Sequence, residues 1–251
     1  MIRAAFYLCL VYSLIGAGIA QQPASAPPQP PAATATAAPP AASVEQVWAD
    51  LMTGNRRFVA GKPQARDLIA LRRGLASDQH PRVIVLACSD SRVAPELVFD
   101  QSLGDLFVVR AAGNVADSVG LGSIEYAVEH IHSTVLVVLG HQKCGAVTAA
   151  CSGGRMPSRN LDAIIDKILP AVGQAKGEPT PGGLVEAAVT ENVHQSARDV
   201  LANSEILREA VRTGKLTVIE AEYQLDTGEV VRLNPPPNAQ NNPSPDSIFP
   251  S

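Results

Sequence analysis

The sequence predicts an α/β fold, a central, mostly parallel β-sheet flanked by helices. Two observations carry this expectation. The runs Arg82–Ala87 (RVIVLA) and Thr134–Gly140 (TVLVVLG) are short, continuous and rich in β-branched residues. Lacking polar alternation, they read as strands buried on both faces, the habit of parallel sheets. Segments of helical periodicity lie between and beyond them, which gives the alternating order that builds such a sheet.

Ser43 with Gln46 three residues on is a capping-box pattern, and Val44, Val47, Trp48 and Leu51 continue at helical spacing. A second helix is expected over 66–76, followed by the first strand at 82–87. Asp105–Arg110 (DLFVVR) reads as the second strand. Ser118–His132 is expected to be helical, with Ile124, Ala127, Val128 and Ile131 on one face. The third strand is 134–140. Helices are expected over 160–173 and 184–212. The stretch KLTVIEAEYQLDTGEVVRL closes the body as two strands around Asp226-Thr227-Gly228. Ligands of such sheets collect at the carboxyl ends of the strands.

The ends of the chain differ from this body. Residues 1–20 have a basic start at Arg3, an apolar stretch and a close of small residues, the pattern of a cleaved signal peptide. Residues 21–42 contain only Gln, Pro, Ala, Ser and Thr, the composition of a mobile spacer. Residues 234–251 form a similar Pro/Asn-rich tail, which leaves one domain over 43–233. Export is therefore expected, to a periplasm or to the cell exterior. The formal net charge of −4, with no basic run, argues against a nucleic-acid partner. No second apolar segment is long enough to hold the chain in a membrane once the leader is removed.

Four cysteines occur, and Cys9 leaves with the leader. The remaining three, Cys88, Cys144 and Cys151, are an odd number for a disulfide framework. The first buried strand ends at Cys88, opening CSDSR, and the third ends at His141, opening HQKC. If these strands are parallel neighbours, Cys88, His141 and Cys144 converge at one sheet edge. Two thiolates and an imidazole are ligands that zinc favours, and three protein ligands leave a fourth position open, as catalytic zinc sites do. Cys151 falls outside this pattern and reads as a small buried apolar residue.

Asp90 and Arg92 follow Cys88 at alternate positions. Asp90 could bind the metal, pair with Arg92, or accept a hydrogen bond from a hydroxide on the metal. The bland alternative is a surface ion pair of little worth. Because two thiolates neutralise a divalent zinc, water at such a site should ionise above the value of about 7 typical of all-imidazole zinc. Activity is therefore expected to rise toward alkaline pH. A zinc-stabilised binding module would need a permanent fourth ligand. A thiol redox protein would want Cys-x-x-Cys, whereas Cys144 is paired with a histidine.

These motifs resemble the β-class carbonic anhydrases. WADLMTGNRRF is similar to the opening helix of that family, ACSDSRVAPE to its first metal motif, and VLGHQKCGAV to its second. GDLFVVRAAGNV and GSIEYAVEH resemble its middle segments, and GKLTVIEAEYQLDTGEV its closing strands. The resemblance implies a zinc enzyme, one ion per subunit, that interconverts carbon dioxide and bicarbonate by attack of zinc-bound hydroxide. It implies that Cys88, His141 and Cys144 hold zinc and that Asp90 and Arg92 form a dyad. In a closed state Asp90 takes the fourth position; in the open state Arg92 withdraws it. Gln79, Phe107, Tyr126 and Gly145 correspond to the substrate pocket, which the family builds at a dimer interface. A homodimer or a dimer of dimers is implied. Ala111 stands where the family commonly has Asn. Val85 stands where some bacterial members carry the Trp of an inhibitory bicarbonate site; Arg110 matches another part of that site. A sister hydrolase acting on carbonyl sulfide or carbon disulfide is the alternative on the same fold. His80, His130, His132 and His194 are candidates for the proton exit by residue type alone.

Overall fold

The computed structural model describes residues 43–153, 156–177 and 182–233. The expected leader, spacer and tail lie outside the described residues. Within them the order is α1 (Val44–Val59), α2 (Leu68–Gly74), β1 (Val83–Ala87), α3 (Pro95–Val98), β2 (Leu106–Arg110) and a 3-10 turn (Ala112–Asn114). Then come α4 (Ser118–Glu129), β3 (Val135–His141), α5 (Gly145–Ser152), α6 (Arg159–Ala175), α7 (Gly183–Ala202), α8 (Glu205–Arg212), β4 (Thr217–Tyr223) and β5 (Val230–Arg232). The sheet has the order β2-β1-β3-β4-β5. The first four strands are parallel and β5 returns antiparallel to β4, as the closing hairpin reading expects. No described helix is long and apolar enough to cross a membrane.

The unbroken apolar runs have a direct structural cause. Every residue of β1 and β3 is buried. Val83, Val85 and Ala87 face one core with Val47 and Leu51 of α1. Ile84 and Leu86 face another with α4, α7 and α8. With helices on both faces, neither face of these strands meets water, so the period-two alternation disappears.

Several expected boundaries move. Ser43 caps α1 by accepting from the Gln46 N–H, but the Gln46 side chain donates to Asp50 and does not return to Ser43. Only half of the capping box forms. The helix expected over 66–76 shortens to Leu68–Gly74. Asp67 caps it by accepting from Ile69 and Ala70, while Arg66 is drawn away to Asp100. The helix expected to reach His132 stops at Glu129, and His132 adopts a left-handed backbone (φ 64°). The span 184–212 is two helices, because Ser204 breaks the run and caps α8 through the Leu207 N–H. Three short elements were not anticipated: α3, the 3-10 turn and α5.

Candidate metal centre

The strand register sets the geometry. Ala87 at the end of β1 lies beside Leu139 of β3, which runs two residues further to His141. Cys88, the next residue after β1, is therefore delivered to the same edge as His141. The edge lies between β1 and β3, where the order of connection reverses across the sheet, a natural crevice for a ligand. Cys144 comes back on the short turn that starts α5. The two thiol sulfurs and a ring nitrogen of His141 all lie within 4.8 Å of one another, and all three residues are buried.

Each donor is held by its surroundings. The Cys88 sulfur accepts from the N–H groups of Asp90 (3.4 Å) and Gly113 (3.3 Å). Arg110, the last residue of β2, donates from Nε to the Cys88 carbonyl (2.9 Å) and from a terminal nitrogen to the Asp90 carbonyl (2.6 Å). In the HQKC turn, the Gln142 N–H donates to the Tyr223 carbonyl (3.0 Å). Lys143 adopts a left-handed backbone (φ 54°). Its N–H donates to Glu186 of α7 (3.1 Å), and its ammonium to Asp226 (2.7 Å).

His141 Nδ1–H donates to the Gln142 carbonyl at 2.8 Å. That bond fixes the tautomer and leaves Nε2 with a bare lone pair. Nε2 is buried and has no hydrogen-bond partner. A buried orphan nitrogen among two thiols is the condition that a thiophilic divalent cation relieves. The donor set and its burial fit zinc.

The electrostatics agree. A hydrogen bond from the Cys144 thiol, helped by the two backbone N–H groups, holds the Cys88 thiol well below its usual range against the opposing effect of burial. The Cys88 sulfur and burial push the Cys144 thiol up. The pair thus shares a proton that a metal would displace. Asp90 accepts from Arg92 at both oxygens, Nε to Oδ1 at 2.9 Å and Nη2 to Oδ2 at 2.7 Å, and Oδ1 also takes the Arg92 N–H at 2.9 Å. This fork keeps the carboxyl far below the ordinary carboxylate range. Oδ2 also lies 3.9 Å from His141 Nε2, so the carboxylate faces the donors as well as Arg92.

The remaining predicted site residues divide. Gly145 follows Cys144 in the first turn of α5 and is exposed. Gln79 and Tyr126 line a surface cavity of about 970 Å³, together with His80, His130 and His132. The Phe107 ring packs 6.4 Å from that of Tyr126. None of Cys88, Asp90, Arg92, His141 and Cys144 lines that cavity. One chain thus assembles the metal side of the site but not Gln79, Phe107 and Tyr126. His194 is buried against Glu220, with Nδ1 2.5 Å from the carboxylate. Cys151 is half-buried at the edge of the core around α5, α6 and α7, less enclosed than expected. Ala111 extends the β1–β2 ladder through Ala87 and Ser89, and Val85 is fully buried.

With this geometry, comparison with known proteins is decisive. The carbonic anhydrase family model matches residues 83–230. The chain belongs to the carbonic anhydrase family. It is 41% identical over 188 residues to carbonic anhydrase 2 of Mycobacterium tuberculosis, covering 73% of this chain and 90% of that protein. It is 37% identical to a carbonic anhydrase of Mycolicibacterium smegmatis, with the same coverage of each chain. A tetrameric β-carbonic anhydrase from Sordaria macrospora superposes with a TM-score of 0.61 at 25% identity, covering 75% of this chain and 98% of that one. The fold is that of the β class, and the chain is an enzyme of the carbonic anhydrase type.

Proposed function

We propose that this carbonic anhydrase catalyses the zinc-dependent, reversible hydration of carbon dioxide to bicarbonate and a proton. The observation that carries the reading is the convergence of Cys88, Cys144 and the bare Nε2 of His141, with the Asp90 carboxylate at their side. When bound, zinc supplies Lewis acidity and makes hydroxide available near neutral pH. The chain supplies the rest. Asp90, ionised by Arg92, is an acceptor that orients the attacking oxygen. Arg92 is about half exposed, and in this reading its grip decides whether Asp90 stands aside or occupies the fourth position. Gly145 offers a first-turn backbone N–H to an anionic product.

Gln79, Phe107 and Tyr126 enter the reading through a second copy. Gln79 and Tyr126 line a cavity that none of the donors of their own chain lines, and Phe107 packs against Tyr126, so this reading calls on a homodimer, alone or paired into a dimer of dimers, to bring them to the neighbouring centre. Export is proposed from residues 1–20 alone.

The test is zinc content and carbon dioxide hydration, measured on the wild type and on Cys144→Ser. One zinc per chain, brisk hydration and loss of both in the variant are expected. Turnover of carbonyl sulfide or carbon disulfide well above that of carbon dioxide would move the assignment to the sister hydrolases.

A further inference from the structure

We infer that Asn192, in the middle of α7, is a positioning residue for the metal centre, acting through the backbone of Gly113 on the sulfur of Cys88. The inference rests on the zinc reading above. Gly113 and Asn114 stand in succession in the left-handed region, with φ of 71° and 47°. For the non-glycine residue this costs roughly 1–2 kcal/mol, and such a conformation persists only where its surroundings impose it. A Cβ at position 113 would also come within 2.7 Å of Ile168 Cδ1. What the turn delivers is the Gly113 N–H, 3.3 Å from the Cys88 sulfur.

The turn is held from α7. Asn192 Nδ2 donates to the Gly113 carbonyl at 2.7 Å. One helical turn later, Ser196 Oγ accepts from Asn114 Nδ2 at 3.2 Å. Asn192, Asn114 and Ser196 are all at least 98% buried. Fixing the peptide after Gly113 sets the dihedrals that aim its own N–H at the sulfur. The Asn192 amide cannot be flipped, because the Gly113 carbonyl requires a donor. Its Oδ1 is buried without a partner. An unpaired buried oxygen costs about 1–3 kcal/mol, so the amide is poorly suited to stabilising the fold for its own sake. Its neighbours Val189 and Val193 show that an apolar side chain suits this part of α7. The amide donor is what the position adds.

An N–H···S bond to a ligating sulfur fixes its direction and tempers its charge, and groups of this kind tune metal sites. The experiment is chelator competition for zinc on the full chain, for the wild type, Asn192→Ala and Ser196→Ala. It is paired with the thiolate-to-cobalt charge-transfer band of the cobalt-substituted proteins. Asn192→Ala should weaken zinc binding roughly 10- to 100-fold and shift the cobalt band. Ser196→Ala should move both readouts the same way by less. A lower melting temperature with zinc affinity and cobalt band unmoved overturns the inference. Should Asn192→Ala fail to fold, the same two readouts on Ser196→Ala decide. A wild type that takes up no zinc overturns the metal-centre reading, and this inference with it. A tightly binding wild type with unmoved variants overturns this inference alone.

Discussion

Asp90 is held by three hydrogen bonds from a single residue, Arg92, and it also faces His141 Nε2. Its carboxyl is depressed so far that it stays ionised throughout the working range and contributes no inflection there. With zinc held by Cys88, His141 and Cys144, the inflection that remains would be that of water. Two thiolates cancel the charge of a divalent ion, so a centre built from Cys88 and Cys144 acidifies water less than an all-imidazole one, for which ionisation falls near about pH 7. The expected kcat/KM for hydration therefore climbs between about pH 7 and 9. A stopped-flow profile that is flat across acid and neutral pH contradicts the charge argument. Asp90→Ala should lower hydration at every pH, and unchanged rates would remove Asp90 from the reaction. At this scale the candidate ligands are legible because Cys88 and His141 terminate apolar runs. Gly113 and Asn192 are not. Neither is a metal-binding type, and 79 positions separate the partners of their hydrogen bond.

Among the elements, the segment between α1 and α2 is fastened by one buried carboxylate. Asp100 (φ 45°) accepts from Arg57, from Arg66 Nη1 (2.7 Å) and from the Gln64 N–H (3.1 Å). Burial alone would raise its pKa. The two guanidinium groups and the N–H outweigh burial and hold it at about 2, against 3.8 for the free side chain. A folded-state pKa below the unfolded one gives stability that is complete above about pH 4 and is lost as pH falls toward 2. Asp100→Asn should cost about 2 kcal/mol near neutrality, a charge-assisted contribution. The melting-temperature gap to wild type should then close between pH 4 and 2. A gap independent of pH would assign the effect to packing. The same carboxylate explains why α2 starts late, since it takes Arg66 out of the helix. The strands were readable because burial on both faces leaves a continuous apolar signature. The short α3 and α5 carry too few residues to show a period. The break between α7 and α8 is hidden because Ser204 interrupts a pattern that resumes almost at once.

For the whole molecule, the proposed division of the site between copies gives a sharp expectation. Gln79 lies on the cavity that excludes the metal donors of its own chain. Gln79→Ala should leave zinc content intact and slow hydration, while Cys144→Ser disables the metal side. If the pocket is shared, mixing the two variants under subunit exchange restores activity. A mixed dimer joins an intact metal side from one chain to an intact Gln79 from the other. Activity of the mixture equal to the average of the two variants would place the complete site within a single chain. The sequence suggests this division only through family resemblance, because no pattern in one chain reports what a second copy covers.

The two-residue overhang of β3 past β1 also has a kinetic meaning. Cys88 and His141 are 53 positions apart and meet only when two distant parallel strands pair, the slow, non-local kind of contact. A metal at this site would thus be captured by a chain whose sheet is already assembled, unlike a zinc finger, which the ion itself folds. Until that pairing is complete the two thiols are ordinary cysteines open to oxidation. If the chain is exported to an oxidising compartment, as proposed, the rate of sheet assembly sets how long that exposure lasts, and with it the fraction of molecules that keep both sulfurs free for a metal.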